Sequence, residues 1–195
     1  MAKTNIFQQL VKEVSNARLK GKAATEWLRR EAQKTKSVNV PGLMWSLHEQ
    51  MKSQTVIGSC YLFSYSPKYA KELPYWDKYP VIFPIGKQKG RMLGINLHYL
   101  PYTLRAVLMD ALYSNLETNK KSENLRLKIS YQILMGFSKH NLVKPTIHSY
   151  LGDHVTSNFI KIPASEWDIA IFLPLQRFQK SSAEKVWAES VRKIG

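Results

Sequence analysis

The sequence predicts an α+β fold: a small, strongly bent, SH3-like antiparallel sheet with helices packed on one side of it, preceded by an N-terminal helical arm. Three observations predict it. Val81, Phe83 and Ile85 alternate with Ile82 and Pro84, and the run Gly86-Lys87-Gln88-Lys89-Gly90 follows as a hairpin loop with glycine at each end for unusual backbone angles. The return strand sets Leu93, Ile95, Leu97 and Tyr99 on one face and Met92, Gly94, Asn96 and His98 on the other. Pro101 then opens a helix in which Leu104, Val107, Leu108, Ala111, Leu112 and Leu116 recur three and four apart, which marks one buried face.

Taken in order, the chain divides into a basic helical arm (1–36), a connector (37–57) and a compact domain (58–195). In the arm, Phe7, Leu10, Val11 and Val14 keep helical spacing, as do Trp27, Leu28 and Ala32, and Gly21 breaks the two stretches apart. The apolar stripe is thin, which predicts an arm that orders against a partner; the other reading docks Phe7, Leu10, Trp27 and Leu28 on the body. In the connector, Pro41-Gly42 is a turn signal, with Leu43, Met44, Trp45 and Leu47 on a short helix. Gly58 to Tyr65 is a strand with Tyr61, Phe63 and Tyr65 on one face and Cys60, Leu62 and Ser64 on the other. Beyond the central helix, Thr118 to Ser122 is a polar loop. Ser122 caps a helix carrying Leu125, Ile129, Ile133 and Phe137, and Gly136 lies at its end. Pro145 opens a further helix with Ile147, Tyr150, Leu151 and Val155 on one side. Phe159, Ile160 and Ile162 form an apolar patch, and Trp167 to Leu173 is a buried strand or a helical turn, between which periodicity does not decide. Ser181 and Glu184 have capping-box spacing for a last helix with Trp187 and Val191 inward.

The charge narrows the function. Lys and Arg number 29 against 14 acids, a net charge of +15. A balance this far from zero points to a polyanionic partner: nucleic acid or a nucleoprotein assembly first, an acidic protein surface second. The single Cys60 excludes an intramolecular disulfide and a multi-cysteine zinc site, and its place in a strand predicts a buried thiol. No apolar run reaches membrane-spanning length, and the N-terminal stretch lacks the apolar core of a secretory signal, so synthesis in a reducing cytoplasm and no membrane partner are expected.

The residues expected to meet DNA or another polyanion fall in three groups. The arm supplies Arg18, Lys20, Lys22, Arg29, Arg30, Lys34 and Lys36. The loop after the first strand supplies Lys71, Trp76 and Lys78, where aromatics among lysines either stack bases while neutralising phosphates or cover the end of the sheet. The hairpin supplies Lys87, Lys89 and Arg91, whose close spacing suits phosphate contacts or a solubilising loop. No phosphate-binding loop, dinucleotide fingerprint or paired helical histidines occur, so no cofactor and no metal are expected. The acids Asp77, Asp110, Asp153 and Asp168 are dispersed. The one convergence the order permits is Asp77, His98 and Asp110, and His98 is more simply a hydrogen-bonded residue at the rim of the sheet.

Phe63–Lys68 (Phe-Ser-Tyr-Ser-Pro-Lys), Leu73–Pro80 (Leu-Pro-Tyr-Trp-Asp-Lys-Tyr-Pro) and Gly94–Pro101 (Gly-Ile-Asn-Leu-His-Tyr-Leu-Pro) resemble small virion proteins of T4-like tailed bacteriophages, some of them labelled DNA end protectors. Ser165–Pro174 and Arg177–Lys180 fit the same group. The resemblance spans Gly58 to Lys193, leaves the arm outside, and brings no catalytic residue with it. It implies a non-enzymatic protein packaged in, or completing, the particle, with DNA and other virion proteins as partners. Three functions compete: holding or protecting the end of the packaged genome, a structural adaptor of the neck, tail or baseplate with acidic protein partners, and a metal-dependent nuclease.

Overall fold

The computed structural model describes residues 5–116, 131–136 and 140–195. Its helices are α1 (Ile6–Asn16), α2 (Gly21–Lys34), α3 (Val40–Ser46), α4 (Tyr102–Leu116), α5 (residues 131–136), α6 (Trp167–Phe172) and α7 (Ala183–Ile194). Its strands are β1 (Met51–Lys52), β2 (Cys60–Leu62), β3 (Trp76–Asp77), β4 (Val81–Gln88), β5 (Arg91–Asn96), β6 (Ile147–Leu151), β7 (Phe159–Ile162) and β8 (Phe178–Gln179). The class is the α+β one expected, but the main sheet is larger than the hairpin and first strand foresaw. It has six antiparallel strands in the order β1-β7-β2-β4-β5-β6, and β3 and β8 form a separate ribbon.

Alternation decides the two faces. Cys60, Leu62, Val81, Phe83, Ile85, Ile95, Ile160 and Ile162 point into the main core, against α1, α2, α4 and α6. Phe63, Tyr65, Ile82, Met92 and Tyr150 form a second, aromatic cluster. Ile82 thus parts from Val81 and Phe83 as the period of two requires. Phe83 meets Trp167 edge to face at 5.0 Å, which ties β4 to α6. At position 94 a Cβ would stand 2.7 Å from Ile82 Cδ1 across the strand pair, so any larger residue requires Ile82 to shift.

The hairpin pairs further than expected. β4 and β5 stay hydrogen-bonded to Gln88 and Arg91, so the turn is Lys89-Gly90. Gly90 alone of the two loop glycines has positive φ, +70°, while Gly86 sits at a register shift in β4. β5 ends at Asn96, and a 3-10 turn over Leu97–Tyr99 replaces the last expected strand residues.

Other elements depart from the pattern for identifiable reasons. The helix expected after Pro145 is strand β6. A 3-10 turn over Lys144–Thr146 accommodates the proline, and Ile147 to Leu151 then fill the free edge of β5. The patch at Phe159 is strand β7, which lies between β1 and β2. The run at Trp167 resolves as a short helix buried throughout. α7 is capped by Ser182, which accepts from the Lys185 N–H, one residue beyond the expected cap; Val191 is exposed, whereas Val186 and Ser190 face inward. On α4, Leu108, Met109 and Leu112 are buried and Val107 is exposed. The expected helix from Ser122 lies outside the described residues except at 131–136, where Leu134 is buried and Ile133 packs beside it. The loop Thr118 to Ser122, the positions Leu125, Ile129 and Phe137, and the side chain of Leu116 also lie outside them.

The arm is docked. A capping box starts α1: Asn5 Oδ1 accepts from the Gln8 N–H at 3.0 Å, and Gln8 Oε1 accepts from the Asn5 N–H. Phe7, Leu10, Leu28 and Ala32 belong to the main core, and α2 lies against α6. The expected partner-dependent arm therefore gives way to the docked reading, because two short amphipathic helices combine their stripes into one apolar surface.

Candidate nucleic-acid interface

The hairpin brings together Lys87, Lys89 and Arg91, all exposed. Lys87 Nζ donates to the Thr55 carbonyl, the Thr55 hydroxyl reaches Met92 Sδ at 3.3 Å, and the Gly152 N–H donates to the Gly90 carbonyl at 2.8 Å. These contacts fix the tip against the connector and the end of β6. Between them lies an open cleft of about 390 Å³, lined by Ser53, Gln54, Lys89, Arg91, Tyr150 and Phe159 among others, with no acid in its wall. A basic rim over an aromatic and polar floor suits a nucleic-acid strand: cations for phosphate, ring faces for bases.

The arm's cations meet a different environment. Lys22 lies 3.7 Å from Glu26, Arg30 lies 3.7 Å from Glu31, and Lys34 lies 2.7 Å from Glu31. Lys34 holds Glu31 below the usual carboxylate range. Arg18, Lys20 and Lys36 are exposed. Arg29 needs correction as a polyanion contact: only 8% exposed, it donates through Nε to Asp168 Oδ1 at 2.6 Å and through a terminal nitrogen to Asp110 Oδ1 at 2.7 Å. The Tyr113 hydroxyl donates to the other Asp168 oxygen at 2.6 Å. Burial opposes the Arg29 charge, but the two carboxylates outweigh it and raise its pKa. Its charge is committed inside the fold.

Of the third group, only Trp76 lines a narrower pocket, of about 290 Å³, between the β3–β8 ribbon and β6. Trp76 lines it with Tyr65, Tyr75, Tyr99, His148 and Tyr150. Lys78 is exposed, with Nζ 5.5 Å from the Tyr79 ring, and Lys71 is exposed, its carbonyl accepting from Lys180 Nζ. The loop therefore does cover the end of the sheet, and it leaves a ring-walled recess in doing so. Lys180, Lys193 and His148 belong here and were missed. Pro145 conceals His148 by imitating a helix start ahead of β6, whereas Lys180 and Lys193 reach the recess only through tertiary packing of the chain after β8 and of α7.

Beside this recess Asp77 ties three segments together through four donors. Its Oδ1 accepts from the Tyr79 and Arg177 N–H groups at 3.2 and 3.0 Å, and its Oδ2 from Asn96 Nδ2 at 3.2 Å and from His98 Nδ1 at 2.6 Å. Burial resists ionisation of Asp77, but His98 and the donated hydrogen bonds prevail and lower its pKa. Burial likewise lowers that of His98, so the pair is a carboxylate and a neutral imidazole. Both are buried, at 2% and 0% exposure, and Asp77 forms part of the wall of the recess. Asp110 pairs with Arg29 instead, and the convergence of Asp77, His98 and Asp110 does not form. Among the described residues, no group of three or more His, Cys, Asp or Glu side chains is placed to hold a metal ion. Cys60 is buried, and burial drives its thiol pKa far up, as expected of an inert thiol. No helix among the described residues is long and apolar enough to cross a membrane.

A family model described as Phage T4 terminal DNA protecting protein matches residues 4–190. The chain belongs to that family. Membership agrees with the resemblance read from the central and C-terminal stretches, and it reaches further: the basic N-terminal helices, which the resemblance left out, lie within the matched length. No curated protein and no solved structure matches the chain.

Proposed function

We propose that this protein shields the end of a phage DNA molecule by occupancy, as a non-enzymatic virion component beside other virion proteins. The hairpin cleft holds the phosphate backbone next to the terminus. The observation that carries the reading is membership in a family described as protecting terminal DNA, in a chain whose hairpin presents Lys87, Lys89 and Arg91 around an acid-free cleft. Counterion release by these cations supplies affinity without sequence preference, which suits a protein that must hold whatever sequence lies at the end. Shielding needs residence at the terminus rather than bond making, and a hairpin tip fixed against the connector and the end of β6 gathers cations at one place.

The test is protection of linear duplex DNA from a processive exonuclease, with circular duplex as competitor. The protein is expected to delay digestion, and circular DNA is expected to compete poorly. The triple variant Lys87→Gln/Lys89→Gln/Arg91→Gln is expected to lose protection and to flatten the dependence of log affinity on log salt by about 2–3, near 0.9 for each phosphate contact removed. Circular DNA competing as well as linear, or an unchanged salt slope in the triple variant, overturns the reading.

A further inference from the structure

We propose that the recess between the β3–β8 ribbon and β6 is a receptacle for one unpaired nucleobase at the DNA end. The proposal rests on the end-shielding reading and gives it a second contact. Six rings line the recess: Tyr65, Tyr75, Trp76, Tyr99, His148 and Tyr150. They are held in place before any guest arrives. The Tyr75 hydroxyl donates to Glu189 at 2.8 Å, the Tyr65 hydroxyl accepts from the Leu151 N–H at 3.2 Å, and the Tyr150 hydroxyl accepts from Asn96 Nδ2 at 3.2 Å. His148 Nε2 bonds the Pro145 carbonyl at 3.1 Å, and Tyr99 stacks on that imidazole with centroids 3.8 Å apart. Rings immobilised this way lose little entropy on taking a flat guest. The volume, about 290 Å³, is at the small end for ligand pockets and admits one ring system rather than a chain.

Charge selects the guest. Exposed Lys193 lines the recess and is close enough to depress the His148 pKa. Lys180 Nζ lies 5.8 Å from the Trp76 ring, anchored by the carbonyls of Lys71 and Leu73 at 2.8 and 3.0 Å. The acids here are engaged: Asp77 by its four donors, Glu189 by Tyr75. A neutral aromatic peptide side chain offers these cations only a ring face, whereas a nucleotide brings a phosphate with its ring. Tyr150 also lines the hairpin cleft, so the two sites adjoin across β6. A backbone seated on Lys89 and Arg91 has the recess beside it. Taking up a base from a frayed or overhanging end avoids most of the unstacking cost that an internal base incurs.

The experiment uses the full chain and a short single-stranded DNA carrying 2-aminopurine as its terminal base, then duplexes with that base unpaired in a one-nucleotide overhang or paired. Stacking in the recess is expected to quench the unpaired probe several-fold and the paired one little. Trp76→Leu is expected to abolish the quenching, and Lys193→Glu, on the exposed face of α7, to weaken binding of the unpaired probe about tenfold at low salt, because it sets a like charge against the phosphate. An unquenched single-stranded probe, quenching that survives both substitutions, or displacement of the probe by a tryptophan-containing peptide at lower concentration than by a mononucleotide overturns the proposal. Failure of the two readings is distinguishable. Retained exonuclease protection with an unquenched probe sinks the receptacle alone; a quenched single-stranded probe without any preference for linear over circular duplex sinks the end-shielding reading alone.

Discussion

Helix α2 and the tip of the β4–β5 hairpin each carry a cluster of positive charge and place it in opposite surroundings. On α2, Lys22, Arg30 and Lys34 lie beside Glu26 and Glu31, and Arg29 is drawn inward to Asp168 and Asp110. At the hairpin, Lys87, Lys89 and Arg91 border a cleft with no acid in its wall. Counting lysines and arginines along the chain does not separate the two. What separates them is where folding places the scarce acids. A helix presents acids three and four residues away on its own surface. A hairpin turn offers only what its neighbours bring, and here they bring Ser53, Gln54 and the rings of Tyr150 and Phe159.

The largest expected effect tests whether α1 and α2 belong to the fold. Deleting residues 1–36 removes Phe7, Leu10, Leu28 and Ala32 from the main core and strips Asp168 of its cation. The remaining chain is expected to lack a cooperative thermal transition. A truncated protein that melts cooperatively near the full-length midpoint would restore the picture of a separable arm. In the intact protein, limited proteolysis at Arg29 and Arg30 is expected to be slow, because Arg29 and the adjoining Leu28 are buried.

The sequence made the hairpin legible because alternation, two glycines and a bounded length all agree there. It made the main class legible for the same reason. It hid β6 and β7, since strands of four or five residues are too short to establish a period of two, and a proline ahead of one imitates a helix start. It also hid the fate of Arg29. The partner Asp168 stands 139 residues away, and only tertiary packing of α2 on α6 brings the two within 2.6 Å. The clustering of the hairpin cations was legible because Lys87, Lys89 and Arg91 lie within five consecutive residues; the recess was not, because its rings come from four separate segments.

Substituting Arg29 alone is the next largest effect. Arg29→Ala leaves Asp168 buried with only the Tyr113 hydroxyl, and loss of one partner of a buried pair costs about 3–5 kcal/mol. Replacing both, as Arg29→Met with Asp168→Leu, is expected to recover much of that loss in chemical denaturation, since the uncompensated charge goes too. If Arg29→Ala unfolds at the wild-type denaturant concentration, its charge is not committed inside, and α2 and the hairpin are alike after all.

Buried polar groups also set a pH response that exposed cations do not. Burial lowers His148 to about 4, against the Pro145 carbonyl and Asp77, with Lys193 adding repulsion. His98 is lowered too, by burial first and then by Arg105 and Arg177, against Asp77. Unfolded histidines titrate near 6.5. Above that pH neither state is protonated and nothing is lost. Below it the unfolded chain takes up protons that the folded one refuses, so stability falls as pH drops from about 6.5 toward 4. The His148 share is at most about 3 kcal/mol, because its ring keeps partial solvent contact. Asp77, lowered in the fold, extends the decline below about 4, where its carboxylate is finally protonated. Thermal midpoints measured from pH 7 to 4.5 are expected to fall steadily, and less steeply in His148→Phe.

The smallest effect is the sharpest test of the comparison itself. The triple variant Lys22→Gln/Arg30→Gln/Lys34→Gln removes as many charges as the hairpin variant does. Each of these cations already neighbours a glutamate, so its removal leaves that glutamate's charge exposed rather than vacating a phosphate contact. Exposed pairs of this kind add little to stability. The thermal midpoint is therefore expected to stay close to wild type. The salt slope of DNA binding is expected to change by less than about 1, against the 2–3 lost with the hairpin set, because only cations that release counterions from DNA enter the slope. Two triple variants with the same net charge thus separate placement from total charge. Equal losses of slope would mean that the protein binds through its overall field, and the hairpin cleft would lose its claim to the DNA end.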